Sequence, residues 1–144
     1  ATIHGNDSIM AAAAKDKGDM KVLAVTMLTS LDEGDVRDLG FQVDVKDIVL
    51  SRAKRALQLG CDGVISSGLE VSELRRHLGD NFIVVTPGIR PVKNTDDQKR
   101  TVDVEEAFQN GADYIVVGRP IKEHANPKQA AADIQQRIRK IFSS

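Results

Sequence analysis

Tryptophan is absent, and aromatic residues fill only 3% of the 144 positions. A surface that stacks on unpaired nucleobases needs such rings, so nucleic acid is not an expected partner. Charge of one sign is lacking too. Twenty basic side chains stand against 21 acidic ones, for a formal net charge of −1. No bulk field draws the chain toward nucleic acid or an anionic membrane, and any anion site has to be local. The single cysteine, Cys61, excludes an internal disulfide and a cysteine-rich zinc site. It reads as a small buried hydrophobe at a helix end and fits a reducing compartment. No apolar run approaches the roughly 20 residues that cross a membrane as a helix. The N-terminus shows no basic-then-apolar leader pattern. No membrane partner and a cytoplasmic location are the expectations. The chain also begins at Ala1, without Met, directly before a strand-like Thr2-Ile3. It reads as starting in mid-fold.

What is present is a rhythm of short β-branched runs and helical stretches, the composition of an ordinary globular domain. Thr2-Ile3-His4 reads as the end of a strand. Residues 8–15 read as a helix capped by Asp7 or Ser8 and closed by Gly18. Residues 21–28 (KVLAVTML) form a strand run, and 31–39 a short helix stopped by Gly40. For that helix, Ser30 has the spacing of a capping box with Glu33. Asp44, as N-cap, or Val45 opens a longer helix to about Leu59, ended by Gly60. A strand at 63–66, a helix at 71–78 and a buried strand at 82–86 (FIVVT) follow. Pro87-Gly88 stops that strand. After a polar loop at 90–100 come a helix at 104–110, a strand at 114–117 and a last helix from Asn126 or Pro127 to Ile141.

Strands alternating with helices imply a parallel sheet with right-handed crossovers. Four clear strands and a fragment fit a single α/β domain over 1–144. An open flavodoxin-like sheet and about half to two-thirds of a (β/α)₈ barrel both suit that count, and periodicity does not separate them.

In either architecture function collects beyond the C-terminal strand ends. Pro87-Gly88-Ile89-Arg90-Pro91 leaves one strand with a glycine that permits close backbone approach and an arginine whose fork suits phosphate oxygens. Gly118-Arg119-Pro120 repeats the device after the next strand. Two such ends on consecutive strands make a candidate phosphate clamp. Gln98, in the polar loop between them, has a donor and an acceptor for a phosphate or a base edge. Thr29 supplies a hydroxyl past another strand end, placed for a planar heterocycle. His4, a lone histidine at a strand end, reads as structural. His77 and His124 read as surface residues. No metal-ligand spacing, phosphate-cradling P-loop or dinucleotide fingerprint is found.

Three segments then carry a resemblance: Val85 to Pro91 (VTPGIRP), Asp96 to Arg100 (DDQKR) and Gly111 to Ile121 (GADYIVVGRPI). With Leu23 to Ser30 (LAVTMLTS), Gly63 to Ser67 and Thr2 to Gly5, they closely resemble the bacterial orotidine 5′-monophosphate (OMP) decarboxylases, in order along essentially the whole chain. The resemblance implies about the last five strands of a TIM-type (β/α)₈ barrel. It implies a homodimer that converts OMP to UMP in pyrimidine biosynthesis with no metal or organic cofactor. It implies that Arg90, Gln98, Gly118 and Arg119 hold the 5′-phosphate, that Thr29 faces the pyrimidine and that Pro87 lines the pocket beside the ring.

The family's catalytic Asp-x-Lys-x-x-Asp motif does not occur in these residues. Asp44-Val45-Lys46-Asp47 brings its second Asp two residues too early and opens a helix. Asp19-Met20-Lys21 precedes a strand. No residue of this chain is therefore assigned catalysis, and the missing strands and chemistry are expected to lie elsewhere. Two other readings stay open: a non-catalytic partial barrel that binds a nucleotide phosphate, and another phosphosugar barrel enzyme, such as an isomerase or a keto-gulonate phosphate decarboxylase.

Overall fold

The computed structural model describes residues 1–90 and 100–143. The elements run β1 (Thr2–Ile3), α1 (Asp7–Lys15), β2 (Leu23–Val25), α2 (Glu33–Asp38), α3 (Val45–Gln58), β3 (Gly63–Ile65), α4 (Val71–Leu78), β4 (Ile83–Thr86), α5 (Val104–Gln109), β5 (Tyr114–Ile115), α6 (Arg119–Lys122) and α7 (Pro127–Phe142). All four strand pairings are parallel, and the sheet order is β1-β2-β3-β4-β5. Strands added in sequence order, with no reversal, are the winding of a barrel. A doubly wound sheet has a switch point where the order reverses. The topology therefore decides between the two architectures that periodicity left open.

Burial agrees. Ala24, Val64 and Val84 lie side by side in register and are buried. Val64 and Val84 pack with Val45, Val49 and Ala53 of α3 and Val71 and Leu74 of α4. Ala24 packs with Met10 of α1 and Ala56 of α3. The alternate residues Val25, Ile65 and Val85 are only half-buried, and Tyr114 in the same row is exposed. One face is thus covered by helices while the other is open, whereas a doubly wound sheet carries helices on both faces. β1 and β5 form its outer edges. A third apolar cluster joins α5, α7 and the end of β5 through Ile89, Val104, Ala107 and Ile134.

Two corners at the N-terminal end of the sheet repeat each other. Gly60 and Gly111 end helices with φ of +93° and +102°, a conformation that favours glycine. Two residues later Asp62 accepts the amide of Val22 at 2.9 Å, and Asp113 accepts that of Val84 at 2.8 Å. Each carboxylate is matched by a cation: Lys17 from the turn after α1 and Arg75 from α4. Lys17 bonds the Gly60 carbonyl at 3.0 Å and Asp62 at 2.6 Å. Arg75 bonds the Gly111 carbonyl at 3.0 Å and Asp113 at 2.8 Å. The same Gly-x-Asp triplet thus closes a helix and starts the preceding strand in both places.

Several caps differ from the sequence reading. Asn6, not Asp7 or Ser8, caps α1, its side chain accepting from Ile9 at 3.1 Å. Three adjacent cap-forming residues leave the choice to the direction in which the chain leaves β1. α2 is capped by Asp32, not Ser30, in a capping box with Asp35. Asp44 holds the N-cap position of α3 but makes no side-chain cap bond. The Val45 amide is instead accepted by Glu33 from α2, at 3.0 Å. The strands are shorter than their apolar runs because pairing stops where the neighbours diverge into loops. α6 was not expected: its four residues are too few to show a period.

Candidate functional site

The loops beyond the C-terminal strand ends gather as a parallel sheet requires. Arg90 follows β4, and Gly118-Arg119 follow β5, its paired neighbour. Val85 pairs Tyr114, Thr86 pairs Ile115, and the Val116 amide bonds the Thr86 carbonyl at 2.9 Å. The two arginines therefore leave adjacent strands at one end of the sheet. Both are half-buried. Arg90 donates from Nη1 to the Ile89 carbonyl at 2.9 Å. Pro87 is half-buried at the start of the same turn.

The two glycines differ in what they require. Gly88 has φ of +74°, so the turn itself favours glycine. Gly118 has φ of −99°, and a Cβ built there would meet no atom within 4 Å. It begins α6, with Pro120 in the first turn.

Thr29, half-buried, lies in the turn after β2, two strands from β4. The structure links it to the segment after β4 through Arg100, whose amide donates to the Thr29 carbonyl at 3.3 Å. Arg100 is buried and pairs with buried Glu70 at 2.7 Å. Its Nη2 reaches the carbonyls of Leu28 at 3.0 Å and Met27 at 3.4 Å. Sequence reasoning read Arg100 as the end of a polar loop and assigned Glu70 nothing. A buried charge needs a partner, but which of 41 charged side chains would be buried is not written in their spacing.

Ile89 and Val102 form an isolated parallel bridge, and the Arg90 amide bonds the Val102 carbonyl at 2.9 Å. Gly68, after β3, approaches Val102 so closely that a Cβ would stand 2.3 Å from its Cγ2. Gln98 lies outside the described residues. His4 is exposed at the end of β1, beside an apolar cleft of about 670 Å³ lined by Met27, Leu28, Phe41, Val43 and Ile48. His77 and His124 are exposed, as expected. Among the described residues no group of three or more His, Cys, Asp or Glu side chains is placed to hold a metal ion. No described helix is long and apolar enough to cross a membrane.

The sequence model of the Orotidine 5'-phosphate decarboxylase / HUMPS family matches residues 1–134. The chain belongs to this family. It is 62% identical over 146 residues to the orotidine 5'-phosphate decarboxylase of Methylococcus capsulatus, covering 100% of this chain and 60% of that protein. It is 50% identical over 136 residues to that of Nitrobacter winogradskyi, covering 92% of this chain and 57% of its relative. The crystal structure of the orotidine 5'-phosphate decarboxylase from Lactobacillus acidophilus aligns with a TM-score of 0.76 at 36% identity, over 94% of this chain and 61% of that one. That from Pyrococcus horikoshii aligns with a TM-score of 0.66 at 26% identity, over 96% and 60%. The chain thus spans about 60% of the length of the curated relatives it matches. Its five sequential strands are part of the TIM-type barrel of this family.

Proposed function

We propose that this chain supplies the phosphate- and pyrimidine-binding part of an enzyme that decarboxylates OMP to UMP. The observation that carries the reading is the exit of Arg90 and Gly118-Arg119 from adjacent strands at the C-terminal end of the sheet. Loops after neighbouring late strands are where TIM-type barrels commonly hold phosphate. Two guanidinium groups there neutralise a phosphate dianion and donate along its oxygens. Gly118 supports the same assignment. Among the described residues a Cβ at 118 would meet no atom within 4 Å, which leaves room for a ligand close to the backbone. Gln98 completes the phosphate set, Thr29 bonds the pyrimidine, and Pro87 lines the pocket beside the ring. The working enzyme is a cytoplasmic homodimer without cofactor.

The phosphate lies far from the carboxylate that leaves. Its binding energy can therefore hold the surrounding loops in place and keep water from the ring. The pyrimidine then loses CO₂ from C6, and the carbanion left behind is stabilised and protonated by an ammonium group. No Asp-x-Lys-x-x-Asp sequence occurs in these 144 residues to supply that ammonium. This absence favours a second reading for the chain as it stands: it binds the nucleotide without turning it over.

Two measurements on the purified chain test both readings. UMP affinity is measured by calorimetry, and OMP turnover is followed by the ultraviolet change of the pyrimidine. Binding without turnover is expected. Turnover that survives repurification would assign catalysis to a lysine of this segment. Failure to bind UMP, with the chain folded, would remove the phosphate clamp.

A further inference from the structure

Arg100 is a buried, heavily engaged side chain, and nothing in the phosphate clamp accounts for it. Its contacts reach two loops, those after β2 and β3. The guanidinium bonds Glu70 at the start of α4 and the carbonyls of Met27 and Leu28 after β2. Its backbone amide bonds the Thr29 carbonyl, and its carbonyl accepts the Ser67 hydroxyl after β3 at 3.4 Å. Three successive carbonyls, at 27, 28 and 29, are therefore held by one residue. Packing does not hold the middle of that turn, because the Leu28 side chain is 56% exposed.

The geometry of the ion pair is informative. Arginine and a carboxylate pair best through two parallel bonds. Here the fork is split. One Nη serves Glu70 and the other serves the carbonyls, while Nε of Arg100 and Oε2 of Glu70 have no partner among the described residues. A buried pair that only had to satisfy its own charges would not leave both atoms orphaned. The guanidinium sits where the carbonyls of the β2 turn need it. Two residues on, Val102 is bridged to Ile89 and bonds the Arg90 amide. The same short segment therefore fixes the Thr29 turn at one end and the Arg90 turn at the other.

We propose that Arg100, held by Glu70, is a positioning residue that sets the Thr29 turn and the Arg90 turn as one unit. For its effect on ligand, this rests on the proposed roles of Thr29 and Arg90. It is distinct from the phosphate clamp, because Arg100 is buried beneath the strand ends and acts through backbone carbonyls.

The test replaces both charges at once, in Glu70→Leu/Arg100→Met. Exchanging a buried ion pair for apolar residues of similar size is often neutral for stability. A merely structural pair would therefore be replaced without consequence at the turns. Amide hydrogen exchange is read at Leu31, whose N–H bonds the Leu28 carbonyl, and at Arg90, whose N–H bonds Val102. Both amides are expected to exchange at least about tenfold faster, while those of β3 and α7 keep their rates. Wild-type rates at Leu31 and Arg90 would overturn the proposal. If the double variant does not fold, Arg100→Lys keeps the charge but lacks the fork. The same two amides then decide in the same way. UMP calorimetry separates this inference from the reading beneath it. Where the wild-type chain binds UMP, the variant is expected to bind at least about tenfold more weakly, and equal affinity would overturn the proposal. Where the wild-type chain does not bind UMP, the phosphate reading fails, while the exchange rates still decide whether Arg100 couples the turns.

Discussion

At the N-terminal end of the sheet, Lys17 and Asp62 form one corner and Arg75 and Asp113 another, each with a strand amide and a glycine carbonyl satisfied in the same way. At the C-terminal end, buried polar atoms go without partners among the described residues: Oγ of Ser66, Oγ1 of Thr86, Oε2 of Glu70 and Nε of Arg100, with Oε2 of Glu33 in the helix after β2. The corner carboxylates each accept from a cation and a backbone amide. An unpaired buried polar atom carries a desolvation cost that a folded chain tolerates only where something offsets it. The contrast follows the division of labour in barrels, where one end of the strands holds the fold and the other holds the ligand loops. It also says what substitutions at each end should do. Changes at the N-terminal corners should lower stability and spare binding. Changes at the clamp should do the reverse. Arg100, buried at the binding end, should affect both.

The largest effect is expected at Arg100. Arg100→Ala leaves the Glu70 carboxylate buried and unpaired, which costs about 3–5 kcal/mol. Urea unfolding checks it, and a loss below ~1 kcal/mol would show that water reaches Glu70 and that the pair is not buried in solution.

Next comes Asp62. Lys17 and the Val22 amide hold its carboxyl down at about 2, from an ordinary 3.8. A carboxyl lowered in the folded state stabilises above its unfolded pKa and loses that contribution as pH falls through its folded pKa. Asp62→Asn is therefore expected to be less stable than wild type at pH 7, with the difference closing between about pH 4 and pH 2. UMP affinity should not change, since the corner lies at the opposite end of the strands. A stability difference that stays constant down to pH 2 would mean that the ion pair does not hold the carboxyl down.

Arg119→Ala turns the comparison around. It is expected to weaken UMP binding by more than ~1.5 kcal/mol, the lower end for a charged hydrogen bond, with little change in the unfolding midpoint. Unchanged affinity by calorimetry would remove Arg119 from the clamp.

The smallest effect separates two candidate caps of α3. Glu33→Ala is expected to cost about 1 kcal/mol, because its side chain accepts the Val45 amide. Asp44→Ala is expected to cost only a few tenths, because Asp44 makes no cap bond. Thermal midpoints in the reverse order would restore Asp44 as the working cap.

Much of the molecule was legible before its coordinates. The glycines that end helices at 60 and 111, the strand runs around Ala24, Val64 and Val84, and the helix at 71–78 follow from local chemistry: a left-handed stop, β-branched runs and a 3.6-residue period. The strand-end positions of Arg90 and Arg119 were legible for a related reason. Each follows a strand end directly, so locating the strand also locates the loop. Ser30 was misread as a cap because several residues nearby can cap and only the path of the chain selects one, whereas Asp44 holds the N-cap position without a side-chain bond.

The sequence by itself determined the alternation of strands and helices, the turns that carry Thr29, Arg90 and Arg119, and membership of the family. Tertiary structure decided the strand order, which separates a barrel from a doubly wound sheet where periodicity does not. It also decided the burial of Arg100 against Glu70. Those two residues lie 30 positions apart, and the carbonyls that Arg100 holds lie 72 and 73 positions away. Contacts of that kind depend on which strands stand side by side and in what register. No local pattern encodes this, because strand pairing joins segments through space rather than along the chain.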